Sequence, residues 1–207
     1  MELVLPGPSQ RVVLIGDTGS GKTYLAERMA AYFPSVQYLD PKGEFQPQVP
    51  YHRTNDLRQA WRMKGHVLVR PKDSQDHRDW WEYYLAAMLK KRKDCVILVD
   101  EVYLLGGMNH TSYPKTLAKI AVVGRSKGLP LWSGIQRPKF APTVLFAQAE
   151  HWYIFPLGDT DLDVLKGWVP EEAIVAIRQL RYDYGFVHVQ KVRGGRKKVT
   201  VYGPLAA

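Results

Sequence analysis

Residues 16–23 read Gly-Asp-Thr-Gly-Ser-Gly-Lys-Thr, a G-x-x-x-x-G-K-[ST] spacing whose residue types suit the binding of phosphate. Glycines let a short loop fold so tightly that successive backbone N–H groups point at one set of anionic oxygens. A helix opening at the end of the loop adds its partly positive N-terminus. Lys22 brings a point charge to the terminal phosphates of ATP, and the Thr23 hydroxyl is a hard oxygen ligand for Mg2+. Asp17, Thr18, Gly19, Ser20 and Gly21 form the cradle ahead of Lys22 and Thr23. The spacing carries this meaning only between a strand and a helix. Here a β-branched run, Arg-Val-Val-Leu-Ile at 11–15, precedes it, and a helical pattern from Lys22 to Phe33, stopped by Pro34, follows.

A second chemical signal is the acidic pair in Val-Ile-Leu-Val-Asp-Glu, 96–101. It ends a buried strand, at the edge where open α/β sheets bind ligands. Asp100 is placed to complete a Mg2+ shell and Glu101 to take a proton from an attacking water. Two adjacent carboxylates favour hydrolysis over transfer to a second substrate. The same pair could also simply end a strand in a solvated loop.

The stretch from Val122 to Pro138 supplies two further candidates. Gln136 leaves a short apolar strand, 129–135, predicted to lie beside the Asp100 strand, which would bring its amide to the terminal phosphate. Arg125 sits at the end of the preceding helix. It either pairs with that helix's C-terminal dipole or reaches a neighbouring subunit's site as an arginine finger; Arg137 is a nearby competitor for that role.

The elements that must position these residues alternate. Further strands are predicted at 36–40, 66–70 and 151–155, with 41–53 as loop. Helices are predicted at Asp56 to Met63, Asp76 to Lys91, about 114–127, 159–166 and 170–180. The chain closes with a hairpin around Arg-Gly-Gly, 193–195. This is an α/β pattern with a mostly parallel central sheet flanked by helices, a P-loop NTPase of the RecA/ASCE-like kind. It divides as an ATPase domain, 1–180, and a small basic C-terminal β-hairpin, 181–207, packed on the same domain. Trp80, Tyr84 and Met88 share one helix face, which is core or subunit interface.

Gly-Asp-Thr-Gly-Ser-Gly-Lys-Thr, Leu-Asp-Pro-Lys-Gly-Glu (39–44), Val-Ile-Leu-Val-Asp-Glu and Gly-Arg-Ser-Lys-Gly…Ile-Gln-Arg-Pro (124–138) together resemble the FtsK–HerA superfamily of DNA-pumping ATPases, over roughly residues 10–156. The short chain is similar to the viral genome-packaging branch found in membrane-containing icosahedral viruses. The resemblance implies a ring, usually a hexamer, that threads double-stranded DNA. It implies Lys22 and Thr23 on nucleotide and metal, Asp100 and Glu101 as the acidic pair, Gln136 as sensor and Arg125 as finger. It also implies capsid or viral membrane proteins as docking partners, and a place in the host cytoplasm or on the virion.

Composition agrees with a polyanionic partner. The 207 residues carry a net charge of +9 and include one cysteine, Cys95, which excludes an internal disulfide. No His/Cys cluster has zinc spacing, and no apolar run is long enough to cross a membrane. DNA phosphates could meet the basic run Lys191–Lys198, though lysines on an edge hairpin also block sheet aggregation. The loop 106–115 is either a pore loop or an ordinary surface loop. Two other classes remain, a P-loop small-molecule kinase and an assembly or secretion ATPase acting on protein. The first lacks an Arg-rich lid here, and the second usually carries a membrane segment.

Overall fold

The computed structural model describes residues 2–71, 77–106 and 113–204. Among them, nine strands form one sheet: Val12–Ile15 (β1), Val36–Leu39 (β2), His52–Thr54 (β3), His66–Val69 (β4), Val96–Val99 (β5), Leu131–Ile135 (β6), His151–Ile154 (β7), Phe186–Lys191 (β8) and Lys197–Tyr202 (β9). Their spatial order is β3-β4-β2-β5-β6-β1-β7-β8-β9. The first seven in that order pair in parallel, and β7-β8-β9 continue antiparallel. The fold is therefore the α/β, mostly parallel P-loop architecture. The basic hairpin β8–β9 extends this same sheet through its pairing with β7.

The four-residue strands β1, β2 and β5 are buried along their whole length because helices cover both faces. Alternate side chains divide between two cores. Val13 and Ile15 of β1 join Trp81, Leu117, Phe146 and Ile174. These come from His77–Lys91 (α3), Lys115–Val123 (α4), Thr143–Gln148 (α5) and Glu171–Gln179 (α7). Val12 and Leu14 face Leu25 and Met29 of Lys22–Ala30 (α1) on the other side. Leu57–Ala60 (α2) and Asp159–Leu165 (α6) complete the helices. No described helix is long and apolar enough to cross a membrane.

The sequence reading misses three features, each for a local reason. Part of the expected loop 41–53 is strand β3. Its residues His52-Arg53-Thr54 lie at the sheet edge with little burial, so no apolar pattern betrays them. Helix α5 is six residues long and follows Pro142, too short for a helical period to register. The helix expected at 114–127 stops at Val123, and a separate 3-10 turn spans Arg125–Lys127. The chain is pinched there, since a Cβ on Gly124 would stand 2.3 Å from the Leu129 carbonyl oxygen. Trp81, Tyr84 and Met88 are fully buried, which makes the inner face of α3 core, with Trp80 only partly covered. The expected start of α3 at Asp76, and residues 107–112 of the loop 106–115, lie outside the described residues.

One close approach seats the acidic pair. A Cβ on Gly134 of β6 would fall 1.7 Å from the Asp100 carbonyl oxygen. Only glycine lets β6 lie this tightly beneath the end of β5. Gly134→Ala is expected to lower unfolding stability by about 3 kcal/mol, the upper end of overpacking costs, in urea titrations of the two proteins.

Candidate active site

The loop between β1 and α1 wraps the carboxyl edge of the sheet. Gly21, at φ 99°, takes the left-handed conformation that opens α1, and no side chain caps the helix start. The first amides of α1 are thereby left for an anion. Lys22 is buried, and its Nζ donates to the Asp17 carbonyl at 2.8 Å. Burial holds its pKa below the usual lysine value, against the opposing pull of Glu101 and Asp100.

Thr23 donates its hydroxyl to Asp100 Oδ1 at 2.8 Å. Burial raises the Asp100 pKa, and the Thr23 hydrogen bond counters the rise. Glu101 Oε1 accepts the Gln136 backbone N–H at 2.8 Å, and Gln136 Nε2 donates to the Thr18 hydroxyl. Strand β6 lies between β5 and β1, so the residue that leaves it stands between the acidic pair and the loop. Burial, reinforced by Asp100 and opposed by Lys22, pushes Glu101 up to about 7.

Lys22, Thr23, Asp100 and Glu101 line one cleft with Thr18, Gly19 and Gly21. Four residues to which sequence reasoning assigned no role share it: Lys42, Glu44, Tyr24 and Tyr184. The first two come from the Asp-Pro-Lys-Gly-Glu loop after β2. Its Asp40 is fully buried and accepts the backbone N–H groups of Gly43 and Glu44 at 2.7 and 2.9 Å. Arg70, just past β4, clamps the same carboxylate through Nε at 3.0 Å and Nη2 at 2.5 Å. Tyr184 has a left-handed backbone, φ 67°, and follows α7. Nothing in its local sequence points to the cleft.

Arg125 is not brought to this cleft. Its Nη1 lies 3.1 Å from Glu150 Oε1, which also binds Arg11 at 2.7 Å. Arg11 and Glu150 precede β1 and β7, so Arg125 occupies the amino edge of the sheet, opposite the phosphate loop. Arg137 stays on the carboxyl edge, ion-paired with Asp161 at 3.0 Å.

The donor set fits a magnesium nucleotide. Among the described residues, the Ser20 hydroxyl is buried without a hydrogen-bond partner and can donate to a phosphate oxygen. Lys22 is an ammonium that burial favours only if an anion arrives. Thr23 and Asp100 offer the hard oxygens that Mg2+ takes.

No protein-family model matches the sequence, and no curated protein matches it. Solved structures do. The genome packaging NTPase B204 from Sulfolobus turreted icosahedral virus 2, in complex with AMPPCP, is 21% identical with a TM-score of 0.74, over 97% of this chain and 100% of that one. The B204 DNA-packaging ATPase from Sulfolobus turreted icosahedral virus is 18% identical, TM-score 0.69, over 97% and 100%. VirB4 of Thermoanaerobacter pseudethanolicus is 10% identical, TM-score 0.69, over 100% and 94%. These likenesses establish a shared fold, which hosts many functions.

The Asp40–Arg70 clamp carries the second-strand loop into the cleft. Asp40→Asn keeps the shape and removes the charge. It is expected to cost ~3 kcal/mol of stability, as for a broken buried pair; an unchanged urea midpoint would deny the clamp that role.

Proposed function

We propose that this chain is an ATP-hydrolysing motor that moves double-stranded DNA, working as a homo-oligomeric ring, in viral genome packaging. The observation that carries the hydrolytic part is the Glu101 carboxylate, held by the Gln136 amide across the cleft from buried Lys22. Lys22 and the loop amides bind the phosphates. Thr23 and Asp100 would hold Mg2+, which when bound would neutralise charge on the transferring phosphoryl group. Gln136 bridges Thr18 and Glu101 and so orients a water against the terminal phosphate. Glu101 accepts that water's proton. The half-exposed Tyr184 ring offers a face to the base.

The motor part rests on the fold shared with two proteins described as genome-packaging or DNA-packaging NTPases and on the net charge of +9. A hexamer is the expected ring. Arg125 belongs to a neighbour's site in this reading, which requires the amino edge of one subunit to face the carboxyl edge of the next and the Glu150 pair to open. Arg137, already on the carboxyl edge, is the alternative. Capsid or viral membrane proteins would dock such a ring, in the host cytoplasm or on the virion.

The test is phosphate release from ATP and Mg2+, titrating protein with and without long duplex DNA. Specific activity is expected to rise with protein concentration and again with DNA. Activity that is flat in concentration and blind to DNA overturns the motor. The base also has a pH signature. Glu101 works ionised and sits near 7 when free, so kcat/KM is expected to climb from about pH 6 to 8. Glu101→Gln is expected to lose that limb and about a hundredfold or more in rate.

A further inference from the structure

A second cleft opens on the same carboxyl edge, where β3, β4 and the loop after β2 end. Lys42, Gly43, Arg53, Asn55 and Arg70 line it, and no carboxylate is among the described residues that line it. The charges there are not equivalent. Lys42 pairs with Glu44 at 2.8 Å, and Arg70 with the buried Asp40. Arg53, exposed on β3, has no hydrogen-bond or ion-pair partner among the described residues.

Asp40 also fixes how Arg70 is presented. Both Nε and Nη2 are spent on the single oxygen Asp40 Oδ2. The guanidinium is thus immobilised before any ligand arrives, and its Nη1 corner remains to donate. Gly43, at φ 90°, keeps the adjoining face open. A Cβ there would lie over the guanidinium, 3.5 Å from Cζ and 3.6 Å from Nη1. A locked arginine, a free arginine and the Asn55 side-chain amide around one concavity suit a tetrahedral oxyanion, because arginine's fork matches phosphate geometry.

We infer that this cleft is a second phosphate site, separate from the phosphate loop and joined to it by Lys42. Lys42 lines both clefts and lies within electrostatic reach of Asp100 and Glu101. A phosphate held by Arg53 and Arg70 would draw Lys42 toward itself and alter the field at the acidic pair. Occupancy of one cleft would then be felt in the other. Two sources share the chemistry, the backbone phosphate of a nucleic acid and free inorganic phosphate. Binding itself does not depend on the hydrolytic role proposed above.

The experiment compares the full chain with Arg53→Glu and with Lys119→Glu, which makes the same charge change at an exposed position of α4. Thermal melting confirms that each folds. Inorganic phosphate is titrated by 31P resonance, and a labelled short duplex by anisotropy. The native chain and Lys119→Glu are expected to bind two phosphates, and Arg53→Glu one; Lys22→Ala loses the other, which separates failure of this site from failure of the phosphate loop. A tenfold or greater loss of duplex affinity confined to Arg53→Glu identifies backbone phosphate as the source. A lost phosphate equivalent with unchanged duplex affinity identifies free phosphate. If Arg53→Glu matches Lys119→Glu in both titrations, there is no second site.

Discussion

A buried ammonium that meets a carbonyl instead of a carboxylate governs this molecule. Lys22 donates to the backbone of its own loop, although Asp100 and Glu101 line the same cleft. Burial disfavours its charge, and an arriving polyanion would stabilise it. The Ser20 hydroxyl, unpartnered among the described residues, belongs to the same unfinished set. A loop that holds polar atoms in this state is organised for something it must bind.

The rest of the fold supplies the walls. Parallel pairing puts the carboxyl ends of β1, β6, β5, β2 and β4 in one row. The loop, Gln136, the acidic pair, Asp40 and Arg70 follow each other along that row. Gly134 sets the spacing between β6 and β5, because no side chain fits beneath Asp100. Asp40, with its two backbone amides and its arginine, turns the second-strand loop so that Lys42 and Glu44 reach the nucleotide cleft.

Much of this was legible because it is local. The phosphate loop, the acidic pair and Gln136 each end a short apolar strand, and strand adjacency in α/β folds brings them together. What was hidden depends on distant segments. Arg125 reads as a free helix-end arginine until Arg11 and Glu150, remote in sequence, close around it. Strand β3 has no apolar alternation, so neither it nor the cleft that Arg53 lines could be read. Tyr184 reaches the nucleotide cleft through a left-handed turn after α7 that its neighbours do not encode. The aromatic face of α3 was visible as a stripe, but only packing shows that Trp81, not Trp80, fills the core.

The central claim is that Lys22 awaits the phosphates of a magnesium nucleotide. Equilibrium binding of ATP to the native chain and to Lys22→Ala, with Mg2+ and with chelator, tests it most directly. The account requires binding that weakens on chelation and falls by at least ~100-fold in Lys22→Ala, the loss expected when charge-assisted hydrogen bonds to phosphate are removed. Equal affinity in the two proteins, or indifference to Mg2+, would contradict it.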